Sequence, residues 1–156
     1  MLATVPNAVN ATLYEKLNYN FIRDIAPVAS IYRVSQVMEV NPSFPAKTVP
    51  EFIAQAKAHP GEISFASAGN GSGQHILAAA LWHLAGVQIT HVPYRGAQPA
   101  YTDLLGGRVD VFFDLSSTAR THVDSGNLKA LAVSSAARSP MHPSVPTLRE
   151  TGVAPL

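Results

Sequence analysis

Short apolar runs alternate with helical patterns along most of this chain, and this alternation constrains the fold more than any other feature. The strand-like runs are residues 32–40, 63–67, 87–92, 109–113 and 128–134. Strands that alternate with helices indicate βαβ units and a largely parallel sheet. Near-continuous apolar strands are typical of a sheet that helices cover on both faces. The sequence therefore predicts an α/β fold.

Capping signals bound several of the predicted helices. The pairs Thr48/Glu51 and Thr147/Glu150 both have the spacing of a capping box, which marks the start of a helix. Ser72 is suited to cap a helix that ends at Gly86. Two shorter helices are predicted at residues 98–105 and 117–125.

The strand-to-helix loops are expected to form the functional edge of the sheet. Right-handed βαβ crossovers place these loops at one edge, and ligands of open α/β sheets bind there. Three loops converge in this prediction, at residues 67–72, 94–97 and 114–117. We therefore expect a binding site where they meet.

Composition excludes several classes of function. A net charge of +1 argues against a nucleic-acid partner, which needs a basic surface. The chain has no cysteine, which excludes disulfide frameworks and thiol chemistry. No run approaches the ~20 apolar residues of a membrane span. The N-terminus lacks the basic start and long apolar core of a signal peptide, so the sequence as it stands is not expected to be exported by the usual route.

The glycine-rich segment is the strongest local signal. It contains Ser67, Ala68, Gly69, Asn70, Gly71 and Ser72. Its glycines allow close backbone approach, and a helix start beside it offers N–H groups and partial positive charge to an anion. A tight turn with a serine cap needs the same residues, so both interpretations stay open. The dinucleotide fingerprint, the Walker loop and the nucleophile elbow all fail to match here.

Three charged or titratable residues lie near this edge, and each has a structural alternative. His75 lies in a first helical turn and is expected to be neutral, with an N–H that can donate to a ligand. The alternative is a histidine that only packs against its neighbours or caps the helix. Arg95 is suited to pair with a ligand carboxylate or to brace a neighbouring one. Asp114 can orient loops, accept a ligand hydroxyl or amine, or cap the next helix. The histidines show no metal-ligand spacing, and no metal, cofactor or catalytic group is expected.

Several segments together resemble the receptors of tripartite tricarboxylate transporters, also called the Bug family. They are residues 41–49, 66–72 with His75, 91–96, 102–107, 113–114, 126–133 and 143–147. The similarity follows almost the whole chain in order. It implies a periplasmic solute-binding protein, with a fold like the type II periplasmic binding proteins. It also implies two α/β lobes, a small carboxylate as ligand and membrane permease subunits as partners, and no enzymatic activity.

The resemblance also implies a division of the chain. Residues 32–40 and 127–135 would be the hinge strands, and residues 41–126 the second lobe. Residues 1–31 and 136–156 would form part of an incomplete first lobe. The implied ligand residues are the segment from Ser67 to Ser72 with His75, then Tyr94, Arg95, Gly96 and Asp114, and Thr4 and Asn7 from the first lobe.

The chain departs from the family pattern at both ends. The signal sequence, the first βα unit and the closing elements of the first lobe are missing, which implies an internal piece of about half a receptor. We expect such a piece to self-associate or to leave residues 1–31 poorly packed. The alternative functions are a cofactor- or phosphate-binding α/β enzyme domain and a truncated receptor without function.

Overall fold

The computed structural model describes residues 3–153. Its helices are α1 Val5–Leu13, α2 Phe21–Asp24, α3 Val49–Ala58, α4 Gly73–Ala85, α5 Ala97–Leu105 and α6 Ser116–Asp124. Its strands are β1 Gln36–Val40, β2 Ser64–Ser67, β3 Thr90–Pro93, β4 Val111–Leu115 and β5 Lys129–Val133.

The strands form one open sheet in the order β3-β2-β4-β1-β5. β2 pairs in parallel with β3 and β4, whereas β1 pairs antiparallel with β4 and β5. Four strands therefore run one way and β1 runs against them. The α/β prediction is confirmed, but the sheet is mixed because β1 lies between two strands of opposite direction. An apolar pattern does not encode the direction of a strand's neighbours, so the sequence could not predict this.

Helices cover both faces of the sheet, as the apolar strands indicated. On one face Met38 packs with Phe52 of α3 and Trp82 of α4. On the other face Phe112 packs with Tyr101 of α5, and α6 lies on the same side. Alternate strand residues point to opposite faces, so the sheet supplies both of these cores.

Local signals account for most helix ends. Thr48 accepts a hydrogen bond from the Glu51 N–H at 3.3 Å and caps α3, although the Glu51 carboxylate bonds the N–H of Lys47. α4 starts after Ser72 and ends at Gly86, whose φ of 65° is the left-handed conformation that glycine adopts readily. These two helices follow the sequence prediction closely.

The second capping box forms without an α-helix in the residues described. The Thr147 N–H donates to the Glu150 carboxylate at 2.7 Å, and the Glu150 N–H donates to Thr147 Oγ1 at 3.1 Å. Residues 148–152 form turns instead. Both bonds can therefore be satisfied within a single turn.

The strands begin or end a few residues away from their predicted bounds. The largest difference is at the first strand, where residues 32–34 are exposed and precede the start of β1. β3 begins three residues after the predicted start at Val87. Apolar residues next to a strand extend the apolar pattern of the sequence without pairing with a neighbouring strand.

Residues 3–35 form a loosely packed segment. α1 and α2, which the sequence analysis did not predict, contain no buried residue. Val28 is 98% exposed, Ile22 87% and Ile31 77%. Within residues 3–153 no helix is long and apolar enough to cross a membrane. The expectation of poor packing in the N-terminal region is consistent with this exposure.

Candidate functional site

The loops after β2 and β3 meet the end of β4 at one edge of the sheet. The Tyr94 N–H, after β3, donates to the carbonyl of Ser67 at the end of β2, over 2.9 Å. Gln74, at the start of α4, donates to Asp114 in β4, over 3.1 Å. The loops after β2 and β3 are therefore in contact, and the start of α4 is bonded to the end of β4. The loop predicted at residues 114–117 is not formed, because β4 ends at Leu115 and α6 begins at Ser116.

The glycine-rich loop between β2 and α4 requires glycine at two positions. Gly69 has a φ of 132° and Gly71 a φ of 75°, both in the region that side chains avoid. A Cβ on Gly69 would lie 3.5 Å from the Tyr94 carbonyl oxygen. Between them Asn70 is exposed, while Gly71 is buried beneath α1. The structure therefore agrees with the interpretation of these glycines as residues of a tight turn.

Internal hydrogen bonds occupy several donors of this loop. The buried hydroxyl of Ser67 lies 2.7 Å from His91 Nε2 and 3.2 Å from the Gly69 nitrogen. The Gly71 N–H donates to His75 Nδ1 at 3.1 Å, and the His75 N–H donates to Ser72 Oγ at 3.3 Å. These groups hold the loop in shape and are not free to bind an anion.

Two backbone donors remain at the start of α4. Within residues 3–153 the N–H groups of Gly73 and Gln74 have no recorded acceptor. Both residues are half-buried. As the first two residues of a helix, they lie where the partial positive charge of the helix dipole is concentrated. The chemistry available here is acceptance of an anion by neutral donors.

His75 is half-buried, and burial lowers its pKa below the ordinary histidine value. Because Nδ1 accepts the Gly71 bond, the proton of the neutral ring belongs on Nε2. The expectation of a neutral imidazole is consistent with this geometry. The ring both packs and keeps one N–H donor.

Asp114 does not cap the helix that follows it. The N-cap position of α6 belongs to Leu115, and the Asp114 carboxylate, 2% exposed, accepts the amide of Gln74. Of its three weighed roles, orientation of the neighbouring loop is the one that the contacts support. A separate bond at 2.7 Å joins the hydroxyl of Ser35, the residue before β1, to that of Ser116, the first residue of α6.

The loop after β3 contributes backbone groups to this edge of the sheet more than it contributes side chains. The Tyr94 hydroxyl donates to Asp103 at 2.7 Å, and burial with this bond raises the pKa of Tyr94 to about 12. Arg95 is exposed and forms no ion pair with any residue from 3 to 153. Gly96 has a φ of 106° and caps α5. Arg95 is thus available at the rim, while Tyr94 is engaged by Asp103.

The N-terminal candidates lie at the start of α1, Thr4 as its N-cap and Asn7 in its first turn. Thr4 donates to Asn7 Oδ1 from its backbone at 2.8 Å, so the two residues cap the helix together. α1 also approaches the glycine-rich loop, since Leu13 Cδ2 would lie 2.8 Å from a Cβ on Gly71. Between α1, β1 and α4 there is a cavity of about 340 Å³ that Gln36 and Gly73 help to line.

Sequence reasoning missed three polar residues of this region. His91, which its spacing excludes only as a metal ligand, stacks on His75 with ring centroids 4.0 Å apart. Gln74 is the donor to Asp114, and the Gln36 Nε2 would lie 3.0 Å from a Cβ on Gly73. No local motif signals any of them, because each acts across separate strands or helices. The described residues contain no cluster suited to a metal ion.

Comparison with known proteins places this geometry in a family. A model of the tripartite tricarboxylate transporter family receptor matches residues 1–155. Protein BugT of Bordetella pertussis is 37% identical over 150 residues, which cover 96% of this chain and 46% of that protein.

Two solved structures have the same fold. An R. palustris protein in complex with adipate shares 33% identity with a TM-score of 0.84, covering 96% of this chain and 50% of that one. MatC from Rhodopseudomonas palustris with bound malate shares 31% identity with a TM-score of 0.84, covering 94% and 50%. The chain therefore spans about half the length of these relatives.

The family match favours a receptor over the cofactor-binding enzyme that the glycine loop left open. The matched proteins are solute-binding proteins rather than enzymes, and receptors of this family are periplasmic. The mixed five-stranded sheet corresponds to part of a lobe in such proteins. This chain belongs to the tripartite tricarboxylate transporter receptor family.

Proposed function

We propose that this chain supplies one side of a ligand cleft in an extracytoplasmic receptor, and that the ligand is a small di- or tricarboxylate or a related organic acid. The observation that carries this is the pair of N–H groups of Gly73 and Gln74, which lie where the loops after β2 and β3 meet the end of β4. A carboxylate gains from the helix dipole at this place. The ligands of the two solved relatives, adipate and malate, are consistent with it.

The proposed ligand contacts are the hydrogen-bond donors that are not used in bonds within the protein. The Ser72 hydroxyl accepts from His75 and retains its own proton to donate. His75 Nε2–H and the exposed Arg95 are the next donors along the cleft. Ser67 and Tyr94 act through their internal bonds, and Asp114 repels any carboxylate placed beside it. The first carboxylate of the ligand is therefore proposed to lie at Gly73 and Gln74.

We further propose the division into lobes that the family implies. β1 and β5, within residues 32–40 and 127–135, pair side by side in opposite directions, as two crossing strands of a hinge would. Residues 41–126 hold β2 to β4 and α3 to α6. In this proposal residues 1–31 and 136–156 belong to the first lobe, with Thr4 and Asn7 on its side of the cleft.

The proposed cellular role is delivery of the solute to membrane permease subunits from the periplasm. It rests on the family to which the chain belongs. Neither a metal nor a cofactor has a part in it. The chemistry required is reversible binding of an anion, which the neutral donors of the loop can supply without a bound cation.

The test is a titration of the isotope-labelled chain with adipate and malate, followed by amide NMR, which detects weak binding. We expect the Gly73 and Gln74 amide signals to shift with either acid and not with adipamide, which lacks the charge. Loss of a hydrogen bond to a charged group weakens binding by about tenfold or more, so Ser72→Ala should show that loss.

Ser117→Ala is the matched control, because Ser117 is an exposed serine in the first turn of α6. It should bind as the unaltered chain does. Equal shifts with the acid and its diamide, or no response of the two amides to either acid, would contradict the proposal.

A further inference from the structure

Three aromatic rings from three elements stack beneath the glycine-rich loop. His91 of β3 lies on Phe65 of β2, with ring centroids 4.6 Å apart and planes inclined by 20°. His75 of α4 lies on His91 at 4.0 Å and 11°. The stack thus joins β2 and β3 to the first turn of the helix.

Each imidazole of this stack is tied to the loop by a ring nitrogen. His91 Nε2 lies 2.7 Å from the Ser67 hydroxyl, where the loop begins. His75 Nδ1 accepts the N–H of Gly71 at 3.1 Å, in the middle of the loop. Together these bonds hold the loop at two points, and His91 supports the ring that makes the second bond.

The second bond requires a neutral His75. A proton on Nδ1 would place two donors, the ring N–H and the Gly71 N–H, against each other at 3.1 Å. It would also place a cation on the face of a second imidazole at 4.0 Å. Burial lowers the pKa of both rings, and the proximity of His75 lowers that of His91 further.

No charged side chain among the described neighbours compensates such a cation. From β2 the stack meets Phe65 and the hydroxyl of Ser67, and from α1 the Gly71 position meets Leu13 and Val9. The next titratable group in the chain after β3 is Tyr94, whose hydroxyl is bonded to Asp103. Of the charged groups described, His75 is the one whose proximity lowers the pKa of His91.

We propose that His91 is a positioning residue: as a neutral ring it holds neutral His75 against Gly71, and protonation of the pair releases Gly71 and loosens the loop. The consequence for ligand capture rests on the proposed function, whereas the effect on the loop does not. A receptor built this way keeps its anion loop formed at neutral pH and gives it up in acid.

The test measures the loop itself, by amide exchange and imidazole NMR on the chain without ligand. At neutral pH we expect His75 to carry its proton on Nε2 and the Gly71 amide to be protected. As the histidines become protonated, protection of Gly71 should fall about tenfold with the same midpoint. The Gly107 amide, which bonds the Leu104 carbonyl, should keep its protection and so report that the fold persists.

Variants separate stacking from titration. His91→Ala removes the supporting ring and should lower Gly71 protection about tenfold at neutral pH. His91→Phe keeps a ring on the stack, so it should retain protection at neutral pH and lose it in acid through His75 alone. His83→Gln, on the exposed side of α4, should behave as the unaltered chain does.

Failure of the positioning role and failure of the proposed function give different experimental results. Gly71 protection that is unchanged in His91→Ala, or that does not follow histidine protonation, overturns the positioning role. Adipate binding that is unchanged in His91→Ala at neutral pH, where adipate is ionised, overturns the link to ligand. If adipate fails to bind the unaltered chain, the proposed function is overturned while the Gly71 measurement still decides the positioning role.

Discussion

The side-chain amide of Gln74 donates to Oδ1 of Asp114 over 3.1 Å, and this bond joins the first turn of α4 to the end of β4. Asp114 is buried, so water contributes little to the solvation of its carboxylate. α4 packs on the face of the sheet opposite to α5 and α6. The bond therefore reaches over the strand ends and fixes the start of α4 relative to the end of β4.

Removal of the Gln74 amide should destabilise the fold. Gln74→Ala leaves the buried carboxylate of Asp114 without this donor, and a hydrogen bond to a charged group is worth about 1.5–3 kcal/mol. Urea denaturation should show a loss of that size in the free energy of unfolding. Gln98→Ala, at an exposed position of α5, is the control and should change it by less than about 0.5 kcal/mol. Equal stability of the two variants would show that the Gln74 bond is unimportant.

Glu39 makes stability depend on pH. Its carboxyl is fully buried in the middle of the sheet, where Tyr101 donates to it at 2.9 Å, and its other oxygen has no partner among the described residues. Burial raises the pKa of Glu39 to about 8, and the carboxylate of Asp114 also raises it. The folded chain thus holds a proton that the unfolded chain releases near pH 4.5.

The stabilising contribution is complete below the unfolded pKa and is lost as the pH rises toward 8. We expect the free energy of unfolding to fall by on the order of 3 kcal/mol between about pH 5 and pH 8 through this group. Glu39→Gln, which resembles the protonated acid, should flatten that dependence in urea denaturation series. Glu15→Gln, at an exposed position, should leave it in place. A parallel pH dependence in Glu39→Gln would contradict the assignment.

Sequence reasoning was most successful where the signal is local. Ser72, Gly86 and the glycines of the loop after β2 have roles set by backbone conformation and by neighbours within four residues. The meeting of the strand-end loops also follows from chain-wide rules of handedness. These local signals account for the conformation of the loop after β2, whereas its role in binding a ligand stays a prediction.

The remaining features depend on contacts between distant residues. The antiparallel direction of β1 is set by pairing with β4 and β5, about 75 and 95 residues away. The stack of His75 on His91 depends on the register of β2 against β3, which places Phe65 opposite His91. A single sequence contains no signal for either. The assignment of the individual ligand residues, Arg95 and Asn70 among them, stays a prediction for the same reason.

The exposed apolar residues of the N-terminal segment should drive self-association. Val28, Ile22 and Ile31 are each more than three-quarters exposed, and clustered apolar surface favours contact with other molecules. Sedimentation velocity of the chain should therefore show species larger than a monomer at micromolar concentration. A variant with Ile22→Lys and Val28→Lys should sediment closer to the monomer. A monomer in both proteins would contradict this expectation.

Gly71 and Gly126 provide a matched pair for the contact between α1 and the glycine-rich loop. Their φ values are 75° and 74°, so alanine at either position adopts a left-handed conformation that costs about 1–2 kcal/mol. A Cβ on Gly126 meets open space, whereas one on Gly71 would lie 2.8 Å from Leu13 Cδ2. Both variants should lose similar stability in urea denaturation, because Leu13 is partly exposed and its side chain can move.

The two variants should differ at α1. Gly71→Ala should displace Leu13 and shift its methyl signals in NMR spectra, because the new methyl group occupies the space of that side chain. Gly126→Ala should leave those signals unchanged, and Gly71→Val should enlarge the shift since its branched side chain is wider. Leu13 methyl signals that are the same in Gly71→Ala and Gly126→Ala would show that α1 does not pack on the loop in solution.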